Sequence, residues 1–172
     1  MDPLVVTLVL DEPSAARFDA ERQELFPSGR TSIGAHVTLF HAVPGEMVPS
    51  VLADLAALEV DGPFPVAVTE VLPLGRGAAY RLAAPALDAV HRTLQRSWWE
   101  SLTAQDRQGF RAHVTVQNKV TSEVARRTVQ RLRADFAPFD VTALGVAVWR
   151  YVGGPWEPVE TVLFGSRADW SV

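Results

Sequence analysis

The sequence contains no cysteine among its 172 residues, and it has no long run of apolar residues. Without cysteine the chain has no disulfide bond, no thiol nucleophile and no metal site with thiolate ligands. No apolar stretch approaches the roughly 20 residues that a helix needs to cross a bilayer. The first residues also lack the basic start and the apolar run of a secretory signal peptide. We therefore predict a cytoplasmic protein with no membrane partner.

An excess of positive charge is absent as well, since the formal net charge is −4. This balance argues against a broad surface that coats nucleic acid, but it leaves room for one or two phosphates in a cleft. Hydrophobic residues make up 48% and charged residues 21% of the chain, as in ordinary globular proteins. The length is sufficient for one substantial core. We predict a single domain over residues 1–172, monomeric and without an obligate protein partner.

Histidine is scarce too, yet two of the four histidines occur in nearly the same short sequence. The two copies are His36-Val37-Thr38-Leu39 and His113-Val114-Thr115-Val116. Each copy lies in a segment rich in Val, Thr and Leu, which is typical of a β-strand. Side chains alternate between the faces of a strand, so each imidazole shares a face with the hydroxyl two residues on. Two such strands predict an acid–base site assembled from two halves.

The remaining pattern divides the chain into two similar halves, each with a His-Val-Thr strand placed after a helix. Strands are predicted near residues 4–10, 35–42, 64–72, 78–83, 111–117, 141–152 and 159–164. Helices are predicted near residues 14–26, with Ser14 as N-cap, and near residues 49–58, 85–102 and 122–136. This order favours an α+β fold in which two mostly antiparallel sheets, flanked by helices, border a cleft.

The paired motifs and their flanks resemble those of the 2H phosphoesterase superfamily, which includes bacterial proteins of the 2′-5′ RNA ligase type. The matching segments are Ala35-His36-Val37-Thr38-Leu39-Phe40-His41 and Arg111-Ala112-His113-Val114-Thr115-Val116-Gln117-Asn118. The resemblance implies a bilobal fold with pseudo-twofold symmetry, both motif strands lining one central cleft. It implies chemistry on phosphodiesters without a metal or other cofactor: opening of 2′,3′-cyclic phosphates, or cleavage and formation of 2′-5′ linkages. His36 and His113 would be the general acid and base, and Thr38 and Thr115 would hold the phosphoryl oxygens.

Elementary chemistry agrees with these roles. Cleavage of a phosphodiester removes a proton from the attacking oxygen and delivers one to the leaving oxygen. Histidine, with an ordinary pKa of about 6.5, can do either near neutral pH, and each transfer contributes roughly 10²–10⁴-fold to the rate. A hydroxyl on the same face can donate a hydrogen bond to a non-bridging oxygen as charge develops there.

Simple alternation also predicts further substrate contacts. It places Phe40 on the face of His36, where the ring could stack on a base, and Arg111 and Gln117 on the face of His113, where they could contact phosphate or base. A β-bulge would cancel these assignments. Arg76, Tyr80 and Arg81, in and after a Gly-x-Gly turn, are predicted to approach the cleft because substrate-holding residues often lie on such loops.

Several alternatives remain open. A metal site built from His36, His41 and His113 is disfavoured, because no carboxylate occurs at ligand spacing. His41 is interpreted as a structural residue, with a role in holding the loop beside the cleft as the alternative. Trp149 and Trp156 are interpreted mainly as packing residues, with base stacking as the alternative. The leading hypothesis is a metal-independent phosphoesterase acting on RNA ends or small nucleotides, and its rival is a non-catalytic module that binds such ends in the same cleft.

Overall fold

The computed structural model describes residues 1–27 and 33–166. Within these ranges the strands are β1 (Leu4–Leu10), β2 (Val37–Val43), β3 (Phe64–Pro73), β4 (Ala78–Ala83), β5 (His113–Gln117), β6 (Phe139–Tyr151) and β7 (Trp156–Leu163). The α-helices are α1 (Glu12–Leu25), α2 (Val48–Ala56), α3 (Pro85–Trp98) and α4 (Ser122–Asp135). Short 3₁₀ helices cover Gly45–Met47 and Trp99–Ser101. The predicted α+β class and element order are confirmed.

The strands form one antiparallel sheet in the order β2-β1-β6-β3-β4-β5, with β7 also paired to β6. The two expected sheets are continuous because the long strand β6 belongs to both. Its first residues, Phe139–Ala143, pair with β3, and its later residues pair with β7 on the same side. The strand order has an internal symmetry. If β1 is exchanged with β4, β2 with β5 and β3 with β6, the order reads the same in reverse.

The strands β2 and β5, which carry the motifs, lie at opposite ends of this order. Even so, Cα atoms of β2 and β5 come within 8 Å of each other. In a flat sheet, two strands with four others between them would be about 20 Å apart or more, since neighbouring strands are about 4.8 Å apart. The sheet is therefore strongly curled, and the curl brings its two edges together.

Both motif strands contain a β-bulge at the same place, one residue after the motif threonine. In β2 the extra residue is Leu39, because Thr38 lies opposite Thr7 whereas Phe40 lies opposite Val6. In β5 the extra residue is Val116, and Thr115 and Gln117 lie opposite the neighbouring residues Ala79 and Ala78. An extra residue breaks the alternation of faces. The first side chain after each bulge, Phe40 in β2 and Gln117 in β5, therefore leaves the face of the motif.

Helices α1 and α3 cover the face opposite the motif side chains. Phe18 of α1 packs against Tyr80 of β4, and Trp98 of α3 packs against Phe40 of β2. Trp98, Phe18 and Phe40 are among the largest fully buried side chains. Burial of each such side chain contributes about 2–3 kcal/mol to the hydrophobic stabilisation. The motif residues thus project from a face that the helices leave open.

Helix α1 begins earlier than predicted. It starts at Glu12 because Asp11, rather than Ser14, is the N-cap: the Asp11 carboxylate accepts the Ser14 N–H at 3.3 Å. The same carboxylate accepts the N–H of Thr142 at 2.8 Å, so the start of α1 is tied to β6. One side chain thus caps the helix and joins it to the sheet, a second role that local sequence does not reveal.

His91 of α3 lies in the core between two phenylalanines. Its ring stacks on Phe40 with centroids 4.6 Å apart and on Phe110 with centroids 4.0 Å apart. Burial lowers the pKa of His91, against weaker effects of the Leu39 backbone and the carboxylates Asp106 and Asp88 that favour the charged form. The imidazole is therefore packed here as a neutral aromatic ring.

This packing predicts a pH-dependent contribution to stability. Because the folded-state pKa of His91 is depressed, its contribution is fully present above the unfolded value of about 6.5 and is lost as the pH falls through the folded pKa. The loss is at most about 1.4 kcal/mol per pH unit. Urea unfolding at pH 7.5 and pH 5.5 measures it, and His91→Phe should reduce the difference between the two free energies. Equal pH dependence in the wild type and the variant would contradict this account.

Candidate active site

The two motif histidines are held in the same way. His36 Nδ1 lies 2.8 Å from the carbonyl oxygen of Gly34, and His113 Nδ1 lies 3.0 Å from that of Arg111. A carbonyl oxygen can only accept, so each Nδ1 carries the hydrogen and donates it. Each Nε2 is then the nitrogen that can take up or release a proton. The backbone thus fixes the same tautomer at both positions.

Three of the four motif residues, His36, Thr38 and His113, line two cavities, and Thr115 lines neither of them. Thr38 and His113 share a cavity of about 420 Å³ whose lining also includes His41, Arg81 and Arg111. His36 lines a smaller cavity, of about 260 Å³, together with Trp149 and Trp156. A larger cavity of about 730 Å³ lies between α2 and α3, away from both motifs.

The charge state of His36 is biased by its surroundings. Burial lowers its pKa most, and the positive charges of Arg22, His113 and His41 lower it further, against the opposing hydrogen bond to Gly34. The influence of His113 on this pKa also means that the two imidazoles lie within electrostatic reach of each other. His36 is therefore neutral near pH 7.

Arg22 of α1 connects the two halves of the site, and sequence reasoning missed it. Its guanidinium donates to the carbonyl oxygen of Thr115 at 2.6 Å and to that of Ile33, three residues before His36, at 3.1 Å. Arg22 is buried and stacks over the Phe26 ring at 4.4 Å. One sequence feature could have pointed to Arg22: it lies four residues after Phe18, on the inward-facing stripe of the helix.

The structure contradicts three of the predicted substrate contacts. Phe40 is fully buried between α3 and the sheet, so it cannot stack on a base. Gln117 is buried and donates to the Leu25 carbonyl and the Thr128 hydroxyl, on the far side from His113. The bulges cause both errors, because they reverse the expected faces after Thr38 and Thr115.

Tyr80 is the third contact that is corrected. It lies opposite Val114, on the helix-covered face, and its hydroxyl donates to Glu21 at 2.7 Å. The next residue, Arg81, lies opposite His113 and lines the same cavity. Arg111 also lines that cavity, as predicted from alternation. Arg76 is exposed on the turn between β3 and β4, and its Nε donates to the Val120 carbonyl at 3.1 Å.

Trp149 and Trp156 form an aromatic wall beside His36. The Trp156 and His36 rings meet edge to face with centroids 4.8 Å apart, and the two tryptophans are 6.3 Å apart. Trp149 is fixed by a hydrogen bond from its Nε1 to the Thr7 hydroxyl at 2.9 Å. Both side chains are only partly buried. This wall, rather than Phe40, presents aromatic faces next to a motif histidine.

No helix in residues 1–27 and 33–166 is long and apolar enough to cross a membrane. In the same ranges no three side chains of His, Cys, Asp or Glu lie together as possible metal ligands. The trio of His36, His41 and His113, which the sequence disfavoured as a metal site, is not among such clusters in these residues.

The position of Arg22 predicts separable effects on charge and stability. Arg22→Met should raise the pKa of His36, because a nearby cation is removed, and should cost about 1–3 kcal/mol for the unpaired carbonyl oxygens. Arg22→Lys keeps the charge, so the His36 pKa should stay near the wild-type value while the melting temperature still falls. NMR titration of the imidazole signals, assigned with His36→Gln, measures this. An unchanged pKa in Arg22→Met would refute the electrostatic role.

Comparison with known proteins agrees with this geometry. None of the curated proteins matches the chain significantly. The solved structure of TT0787 from Thermus thermophilus aligns over 95% of this chain and 98% of its own, with a TM-score of 0.67 and 17% identity. LigT from E. coli, solved with 3′-AMP, aligns over 95% and 98%, with a TM-score of 0.62 and 16% identity. At these identities the likeness shows a common fold.

The sequence itself supplies the family. Residues 10–155 match the model of the 2′-5′ RNA ligase superfamily, a span that includes both motif strands. This match agrees with the resemblance drawn from the paired His-x-Thr motifs. The chain therefore belongs to the 2′-5′ RNA ligase superfamily.

Proposed function

We propose that the chain is a metal-independent phosphoesterase that acts on RNA ends or small nucleotides. It would open 2′,3′-cyclic phosphates or cleave and form 2′-5′ phosphodiester linkages. The observation that supports this best is the matched pair of imidazoles. Each donates its Nδ1 hydrogen to the backbone two residues earlier, and each is followed by a threonine at the adjoining edges of the curled sheet.

In this mechanism the two histidines have different roles. His36 acts as the general base, because burial and nearby positive charges lower its pKa and keep Nε2 unprotonated and free to accept a proton. It takes a proton from the attacking water, and protonated His113 gives one to the leaving ribose oxygen as the ring P–O bond breaks. Thr38 and Thr115 donate to non-bridging oxygens, where negative charge builds up. In the ligation direction the same two groups exchange roles.

The aromatic wall supports a nucleotide as substrate. Trp149 and Trp156 border a cavity of about 260 Å³ that is also lined by His36, so a base stacked there would lie beside the reacting phosphate. Stacking of this kind tolerates any base, because every base has a π face. A protein of similar fold, E. coli LigT, has been solved with 3′-AMP. Both motifs come from one chain, so the mechanism needs no protein partner.

Substitutions in the motifs test the proposal. His36→Ala and His113→Ala should each lower kcat by about 10²–10⁴-fold, and the double variant should lose less than the product, because the two groups act as a unit. Thr38→Val and Thr115→Val should each cost roughly 10–10³-fold, since valine keeps the branched shape and removes only the hydroxyl. The substrates are 2′,3′-cyclic nucleotides and 2′-5′-linked dinucleotides.

The assays contain EDTA, because the proposed mechanism uses no metal. Activity that disappears with the chelator and returns with a divalent ion would refute the metal-free mechanism. Tight binding of nucleotides without any turnover would favour the rival, a non-catalytic module. Full activity of both threonine variants would show that the hydroxyls do not hold the phosphate.

The stacking wall can be tested separately from the chemistry. Trp156→Ala should lower kcat/KM for 2′,3′-cyclic AMP by about 5–150-fold, which corresponds to roughly 1–3 kcal/mol of stacking. It should change kcat/KM much less for the abasic ribose 2′,3′-cyclic phosphate. Trp99→Ala, at an exposed tryptophan outside both motif cavities, is the matched control. A similar loss for both substrates would mean that Trp156 acts on His36 and not on a base.

A further inference from the structure

A histidine outside the two motifs is held by a buried carboxylate at the edge of the site. Asp106, whose side chain is only 1% exposed, lies 2.8 Å from Nδ1 of His41. The same carboxylate accepts the backbone N–H groups of His41, at 2.9 and 3.0 Å, and Ala42, at 3.0 Å. The His41 side chain is 46% exposed. A half-exposed imidazole is thus fixed in place by a fully enclosed acid.

The hydrogen bonds to Asp106 determine the charge of its carboxyl group. Burial alone would raise the pKa of Asp106, but the hydrogen bonds from His41 and Ala42 outweigh burial and lower it. Asp106 is therefore ionised and receives the Nδ1 hydrogen of His41. When the His41 imidazole carries both ring hydrogens, Nδ1 donates to Asp106 and the remaining nitrogen, Nε2, can donate to a ligand.

The backbone bonds of Asp106 have a structural purpose that does not need the imidazole. They satisfy N–H groups of the edge strand β2 and tie the loop before β5 to it. Any residue other than proline at position 41 offers the same backbone donor. The connection between β2 and the loop therefore does not need the imidazole of His41, which lies beside the site.

His41 shares a cavity of about 420 Å³ with Thr38 and His113, and Arg81 and Arg111 line it as well. Two of the charged side chains in this lining, Arg81 and Asp106, are already paired. Glu70 pairs with Arg81 at 2.7 Å, and Asp106 is turned to His41. In the part of the chain that the structure describes, no carboxylate lies within 4.0 Å of the Arg111 guanidinium. The cavity therefore brings the Arg111 guanidinium and the His41 imidazole next to a motif histidine.

We propose that this cavity holds a second phosphate of the substrate, separate from the phosphate that reacts, with His41 and Arg111 as its donors. This inference rests on the proposed function and narrows it. The favoured substrate carries either a 5′-phosphate on the reacting nucleotide or a phosphodiester to a neighbouring nucleotide. The Trp149–Trp156 wall would take a base at the other end of the site.

Binding measurements test the subsite without any chemistry. Calorimetry compares adenosine 3′-monophosphate with adenosine 3′,5′-bisphosphate and with the dinucleotide ApAp, all at the same ionic strength. At least one of the two larger ligands should bind the wild-type protein about 10-fold or more tightly than the monophosphate, as expected for charge-assisted hydrogen bonds. The bisphosphate and the dinucleotide distinguish a terminal phosphate from a linking one.

Substitutions then assign the preference to named residues. His41→Gln keeps the backbone bonds to Asp106, and Arg111→Gln removes the second donor. Each should bring the affinity ratio close to one. Arg126→Gln, which removes the same charge from an exposed position on α4, should leave the ratio as in the wild type. Melting temperatures confirm that the variants are folded, and Arg111→Gln decides the test if His41→Gln does not fold.

The outcomes separate this inference from the proposed function. Equal affinities for all three ligands in the wild-type protein would overturn the second-phosphate site, and so would a preference that survives both substitutions. If 2′,3′-cyclic nucleotides are turned over but the ratio is near one, only the subsite is wrong. If the bisphosphate or dinucleotide is preferred through His41 and Arg111 but nothing is turned over, the subsite stands and the proposed catalysis fails.

Discussion

The site depends on the pairing of one long strand with partners from both halves of the chain. β6 pairs with β1 along one side and with β3 and then β7 along the other. This pairing joins the two halves into one sheet, and the curl of that sheet brings the edges β2 and β5 together. Each half alone supplies one imidazole and one hydroxyl. Only the joined sheet brings the two motif strands, and with them the two imidazoles, to adjoining edges.

Two buried charged side chains reinforce this meeting of edges, and each crosses from one half to the other. Arg22 follows β1 and donates to the carbonyl oxygen of Thr115 on β5. Asp106 follows α3 and accepts N–H groups of β2. Burial of a charge is costly unless it is hydrogen-bonded, so both contacts favour the native arrangement of the edges. Arg22 and Asp106 also fix the backbone of the segments that carry the motif side chains.

The sequence was sufficient for the elements, the α+β class and the pairing of two His-x-Thr strands, because these follow from short-range patterns. It was not sufficient where a single inserted residue changes the geometry. The bulges at Leu39 and Val116 reverse the faces of Phe40 and Gln117. No local sequence pattern indicates that a bulge will form there. Arg22 and Asp106 were missed for another reason. Their partners lie far away in the sequence, so only the tertiary structure reveals why a charge is buried there.

The shared strand also has a consequence for how the chain folds during synthesis. β1 is made long before β6, yet the pairing of these strands joins Leu4 to Arg150. Until β6 leaves the ribosome, β1 lacks one neighbour and the two halves lack their junction. Such long-range pairing is slow to form, and unpaired strand edges invite contact with other chains. The newly made protein therefore acquires its cleft only after β6 has been made, in a step that completes both halves at once.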